Sequence, residues 1–217
     1  MNITVFGARG SVGSRITHEA VARGHSVTAA TRQPPIPGRE SLTNAAGRLQ
    51  YRAADATCPE DVMQVIAGQD AIIAATRPLS GHEPELIAST RTLLDAAAAT
   101  GTRLLISGGA ATLKVPDSGI PVLEDTRYLP PAARPIAMAC AEQLALCQLN
   151  PASDWTYFSP AASLFSGERT GRFRLGTDDL IVDEQGASRL SLEDLAVAVL
   201  DEVEQIRFRR SRFTAAY

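Results

Sequence analysis

Asn2-Ile3-Thr4-Val5-Phe6-Gly7-Ala8-Arg9-Gly10-Ser11-Val12-Gly13 decides the fold. Its first five residues are short, β-branched and apolar, which reads as a strand, and the strand runs into a loop with glycines three residues apart. From Ser14 to Arg23, residues Ile16, Ala20 and Val21 recur at helical spacing, and Gly24 stands where a left-handed residue stops a helix. His25 to Thr31 follows as a second strand. Strand, glycine turn, helix and strand within about thirty residues make a βαβ unit. Its parallel strands require a right-handed crossover.

The alternation continues down the chain. Leu49 to Ala54 reads as a strand, Pro59 to Ala67 as a helix with proline in its first turn, and Ala71 to Ala75 as a buried strand. Glu83 to Ala99 places Leu86, Ile87, Leu93, Leu94 and Ala97 on one face and ends before Gly101, after which Arg103 to Ser107 is a strand. Pro135 to Leu149 is a further helix and Trp155 to Phe158 a further strand. Apolar strands separated by helices predict an α/β, Rossmann-like, doubly wound parallel sheet. After Pro160 come loops, a strand at Leu180 to Val182, a helix from Leu192 to Glu204 and a strand-like Arg212 to Tyr217. The expectation is one domain, 1–217, with 160–217 forming a small cap on the substrate side. Pro34 to Gly38 and Ala110 to Ala133, rich in Pro and Gly, read as mobile loops.

Composition agrees with a single globular unit. A chain of 217 residues that is 45% hydrophobic and 21% charged can bury a sizeable core without staples. A net charge of −3 without a basic block gives no nucleic-acid footprint. The sequence contains no apolar run long enough to span a bilayer and no leader pattern, so a cytoplasmic protein is expected. Cys58, Cys140 and Cys147 match no zinc pattern, His18, His25 and His82 do not cluster with them in sequence, and the cysteines read as reduced, mostly structural thiols.

The glycine loop follows the first strand and opens the first helix. Backbone N–H groups and the helix dipole there suit a pyrophosphate, which the missing β-carbons let come close. Gly7, Arg9, Gly10, Ser11, Val12 and Gly13 are therefore the expected cradle of a dinucleotide. An acidic residue ending the second strand would bind the 2′-hydroxyl of NAD; the strand ends instead on Ala30-Thr31-Arg32. Thr31 and Arg32, with Arg9 nearby, suit a 2′-phosphate, so NADP(H) is expected over NAD(H). The alternative is a solvated Arg32 and an Arg9 that packs across the turn. Asp55, beside Ala56, suits the adenine amino group, or caps the helix near Pro59. Ala75, Thr76 and Arg77 would line the ribose and nicotinamide side.

With these stretches, Leu105-Ile106-Ser107-Gly108-Gly109-Ala110, Asp154 to Ala162, Gly167 to Gly176 and Arg212-Phe213-Thr214, the sequence resembles the atypical short-chain dehydrogenase/reductase superfamily. The resemblance covers the whole chain and is strongest to NADH-flavin-reductase-like proteins near the NmrA-like and biliverdin-reductase-B-like groups. It implies a monomer or small homo-oligomer that binds NAD(P)H and presents the nicotinamide to a planar acceptor, a flavin or quinone. It also implies Ser107 and Gly108 near the nicotinamide, with Ser107 as the orienting hydroxyl.

The chain departs from catalytic short-chain dehydrogenases in lacking their Tyr-x-x-x-Lys pair. Lys114 is its only lysine, and Ala110 stands four residues before it. Ketone reduction lacks its usual acid, whereas a flavin accepts hydride directly and can be protonated by solvent. Arg77, His82 and Tyr128 are further polar candidates at the nicotinamide face, the last two also readable as surface residues. Glu168 and Arg169 would meet an acceptor's rim or pair internally. Two other functions stay open: a non-catalytic NADP(H) sensor of the NmrA-like kind, and a recruited epimerase, dehydratase or cyclase.

Overall fold

The computed structural model describes residues 1–33 and 48–217, so the loop expected at Pro34 to Gly38 lies outside the described residues. Strands β1 (Asn2–Phe6), β2 (Ser26–Thr31), β3 (Arg48–Ala53), β4 (Ala71–Ala74), β5 (Arg103–Ser107) and β6 (Trp155–Pro160) are interleaved with helices, except that among the described residues none stands between β2 and β3. The helices are α1 (Ser11–Ala22), α2 (Pro59–Ile66), α3 (Pro84–Thr100) and α4 (Arg134–Gln148). The chain closes with β7 (Ser163–Phe165), β8 (Arg174–Gly176), β9 (Arg189–Ser191), α5 (Leu192–Gln205) and β10 (Ser211–Ala216). The main sheet has the order β3-β2-β1-β4-β5-β6-β10-β8, while β7 and β9 form a separate parallel pair. All neighbours in the main sheet are parallel except β8, which runs antiparallel to β10.

Alternation along each strand divides the core into two layers. Ile3, Val5, Ile73, Leu105, Phe158 and Phe213 face α1 and α5. Phe6, Ile72, Ala74, Leu104, Ile106 and Tyr157 face α2, α3 and α4. The sheet is therefore doubly wound, as expected. A smaller cluster of Leu113, Val115, Val122 and Leu180 packs loop on loop beyond the sheet's carboxyl edge.

Three expectations shift. α1 begins at Ser11, not Ser14: Gly10 is its extended N-cap, and the Ser14 amide donates to the Gly10 carbonyl at 2.9 Å. Gly13 is thus a helical residue, contrary to its low intrinsic propensity. Leu180 to Val182 is not a strand. Leu180 is buried by the apolar cluster, and its only sheet-like tie among the described residues is its amide to the Lys114 carbonyl, so burial there comes from packing rather than pairing. Finally, the segment after Pro160 is not all cap: β10 extends the main sheet beside β6, and α5 packs beside α1 in the core.

Two buried carboxylates fix that return. Glu202, wholly buried, takes Arg103 Nη2 at 2.6 Å and the Arg207 and Phe208 amides, anchoring the turn into β10. Asp194 takes the Thr170 hydroxyl, the Gly171 amide and the Tyr217 hydroxyl, tying the loop before β8 to α5 and to the chain's last residue. Each carboxylate is surrounded by donors, which is what lets it be buried.

Candidate functional site

Strand order reverses between β1 and β4, where chain connections leave in opposite directions and open a crevice at the carboxyl edge. A cleft of about 1080 Å³ lies there. That is at the top of the range of ~300–1,000 Å³ usual for small-molecule pockets, so it suits an elongated ligand.

The three glycines divide the work of its floor. Gly7, at φ +74°, turns the chain out of β1, and a β-carbon there would stand 2.4 Å from the Ala75 carbonyl oxygen. At Gly13 a β-carbon would stand 2.2 Å from the Gly7 oxygen, so this glycine lets α1 press on the turn. Gly10 is exposed on the cleft; its β-carbon would meet only the Gly7 oxygen, at 3.3 Å. No side chain caps α1 and no acidic residue sits in its first turn, leaving its amides and positive dipole end for an anion. This glycine cradle fits a dinucleotide pyrophosphate.

Thr31, Arg32, Asp55 and Ala56 line one part of the cleft. Arg9 reaches the same corner, donating to the Gln33 carbonyl at 3.0 Å, and Arg32 Nη1 is 3.3 Å from Glu85. The Asp55 carboxylate accepts from the Thr57 amide and hydroxyl, each at 2.8 Å. The Thr57 amide, then burial opposing it, the hydroxyl and the nearby Arg32 together hold the Asp55 carboxyl below its usual range. Asp55 does not cap α2, whose N-cap is Cys58 without a side-chain capping bond.

Ala75, Thr76 and Arg77, after β4, line the cleft, and Ser107 and Gly108 line it at the end of β5. Among the described residues no hydrogen-bond partner is found for the Ser107 hydroxyl. The same cleft is lined by Leu86 and Ser89 of α3, Ile136, Cys140 and Gln143 of α4, Pro160 and Leu164. Behind this wall the Tyr157 hydroxyl has two acceptors for its one proton, the Cys140 carbonyl (2.9 Å) and Gln143 Oε1 (3.1 Å), while Gln143 Nε2 donates to Thr90 Oγ1 (2.9 Å) and Thr90 to the Leu86 carbonyl (2.7 Å). Tyr157 also accepts from the Gly109 amide at 3.4 Å and lies so close to Gly108 that a β-carbon there would overlap its ring. The tyrosine thereby sets the turn that carries Ser107. Its burial pushes its hydroxyl far above the ordinary value, and burial pushes the Cys140 thiol up to about 11.

Of the residues expected at a cofactor, all line this one cleft except Gly13, which acts through its packing on Gly7. The other candidates lie elsewhere. His82 is exposed and paired with Glu85; Tyr128 donates to the Gly186 carbonyl; Arg169 pairs internally with Glu19 at 2.7 Å. Neither His82, Tyr128, Glu168 nor Arg169 lines the cleft. Sequence reading missed Glu85, Ser89, Cys140 and Gln143, which reach it from α3 and α4.

Residues 7–203 match the NAD(P)H-binding family model. The chain belongs to this NAD(P)H-binding family. The resemblance to atypical short-chain dehydrogenase/reductases agrees with it. Solved structures that share the fold over the whole chain include the following three. A Burkholderia pseudomallei protein, provisionally named an exported protein, is 40% identical with TM-score 0.87, over all of both chains. A Bacteroides thetaiotaomicron protein, provisionally named an epimerase, is 36% identical with TM-score 0.87, over all of this chain and 96% of its own. A Streptococcus pneumoniae protein, provisionally named an NADH-flavin reductase, is 29% identical with TM-score 0.86, over all of this chain and 99% of its own.

Proposed function

We propose that this member of the family is a reductase that prefers NADP(H) and passes hydride to a flavin, quinone or related conjugated acceptor, without a Tyr-x-x-x-Lys pair. In this reading Gly7, Arg9, Gly10, Ser11, Val12 and Gly13 hold the pyrophosphate, Thr31 and Arg32 a 2′-phosphate, and Asp55 and Ala56 the adenine. Ala75, Thr76 and Arg77 follow the ribose, and Ser107 and Gly108 meet the nicotinamide. When bound, NADPH supplies the hydride.

The observation that carries the reading is the chemistry of the β5 end of the cleft. The cleft that Ser107 lines carries apolar surface from Leu86, Ile136, Pro160 and Leu164 beside the polar Thr76, Arg77, Ser89 and Gln143, with Ser107 as an unengaged hydroxyl. The neighbouring acids are unsuited to proton transfer near neutral pH, where a general acid works best with a matched pKa. The Cys140 thiol is held protonated, and Tyr157 spends its hydroxyl on Gln143 and the Cys140 carbonyl. Apolar surface in the cleft favours a planar ring, and an acceptor protonated by solvent needs no acid from the protein. The chain's own residues then contribute positioning: they stack and orient the two rings. Among the described residues no helix is long and apolar enough to cross a membrane, and all three cysteines are free, which supports a cytoplasmic enzyme.

The test is NADPH oxidation by the purified protein with FMN, FAD, riboflavin and two quinones. Saturable turnover with at least one acceptor is expected. NADPH binding without turnover on any of them would contradict the reductase and favour a sensor.

A further inference from the structure

The end of β2 carries no carboxylate, yet beside Asp55 a second acidic group stands at this corner of the cleft, supplied from α3. Glu85 lies in the first turn of α3 and lines the cleft. One of its carboxylate oxygens is 3.3 Å from Arg32 Nη1 and the other 3.1 Å from His82 Nδ1. The second arginine of this corner, Arg9, spends its Nη1 on the Gln33 carbonyl and pairs with no carboxylate among the described residues. Arg32 is therefore the cation here that already has an anionic partner.

We propose that Glu85 determines cofactor specificity by competing with a 2′-phosphate for Arg32. This rests on the reading that Arg32 meets the 2′-phosphate. The Arg32–Glu85 pair turns the guanidinium toward α3, and a phosphate has to draw it away. NAD(H), with a hydroxyl at that position, does not compete for the charge. The carboxylate consequently weakens NADP(H) selectively and narrows the preference between the two cofactors. His82, on the other carboxylate oxygen, holds Glu85 in place for this role. With Arg32 61% and Glu85 42% exposed, the pair is solvent-screened and readily exchanged, so the effect is modest.

The experiment titrates NADPH and NADH into wild-type protein, Glu85→Gln, Arg32→Ala and the double variant, following nicotinamide fluorescence, with melting curves to confirm folding. Glu85→Gln, an exposed change that keeps the side chain's length, is expected to lower the NADPH dissociation constant about two- to fivefold and leave NADH unchanged. In the Arg32→Ala background the same substitution is expected to change neither. An unchanged NADPH/NADH ratio in Glu85→Gln, with a ratio that falls in Arg32→Ala, overturns the competition and leaves the 2′-phosphate reading standing. A full effect of Glu85→Gln without Arg32 also overturns it, because Glu85 would then act on the phosphate directly. If Arg32→Ala leaves the ratio unchanged, the 2′-phosphate reading fails and the role of Glu85 fails with it.

Discussion

Gly13 is pressed against the carbonyl of Gly7: a β-carbon on Gly13 would stand 2.2 Å from that oxygen. This contact joins the first turn of the fold to the helix that follows and fixes where the α1 amides point. Helix propensity alone favours alanine at a helical glycine by about 1 kcal/mol. Here the overlap is with backbone, which cannot swing aside, so overpacking wins. Gly13→Ala is expected to lower stability by about 1–3 kcal/mol in denaturant unfolding. A neutral or stabilising result would mean that the loop and helix separate freely.

Tyr157 and Ser107 test the division between scaffold and chemistry. Tyr157→Phe removes a wholly buried hydroxyl and strands the Gln143 carbonyl, at a cost of about 1–3 kcal/mol in stability. Removing a general acid costs roughly 10²–10⁴-fold in rate, so a loss of turnover under about tenfold separates the two roles. Ser107→Ala is expected to do the reverse, with stability kept and turnover reduced. Unchanged turnover would remove Ser107 from the reaction.

Acid stability follows from Glu19, which holds α1 to the loop carrying Arg169 and pairs with Arg23, the C-cap of its own helix. The Arg169 hydrogen bond most of all, and Arg23 next, outweigh burial and hold the Glu19 carboxyl below its usual 4.5. A lowered folded-state pKa means that its contribution is present above about 4.5 and is lost as pH falls through the lower folded value. Glu19→Gln is expected to cost about 1–3 kcal/mol at neutral pH and to flatten the acid limb of the stability curve. Parallel curves for variant and wild type below pH 4.5 would contradict this.

The sheet was legible because its strands are short apolar runs punctuated by glycine and proline; β5 has the predicted bounds to the residue. The strand-end residues of the cleft were legible for the same reason, since parallel strands all deliver their carboxyl ends to one edge. What sequence could not place is what arrives from the helices. On α3, Leu86, Ser89, Thr90, Leu93, Leu94 and Ala97 are buried, while Ile87 is only partly so. The adjacent pair Ser89-Thr90 interrupts that apolar stripe, and a buried polar step is the signal that leads to Gln143 and Tyr157. Glu85 gave no such signal. It reaches Arg32 across 53 positions of sequence, and only the packing of α3 beside the β2 end brings them together. Leu180 to Val182 misled because a short apolar run is buried equally well by a strand ladder or by a loop cluster.

The account stands on the cleft between β1 and β4 as the cofactor site, and Gly10 is the position where binding and folding separate. Its β-carbon meets no atom closer than 3.3 Å, yet the residue faces the cleft. The decisive measurement is an NADPH titration of wild-type protein and Gly10→Val side by side, with thermal unfolding of both. Saturable one-site binding by the wild type, lost by at least about tenfold in a variant that still unfolds cooperatively, is the predicted result. Equal affinity in the two proteins would place the cofactor elsewhere and reduce the glycine loop to a turn.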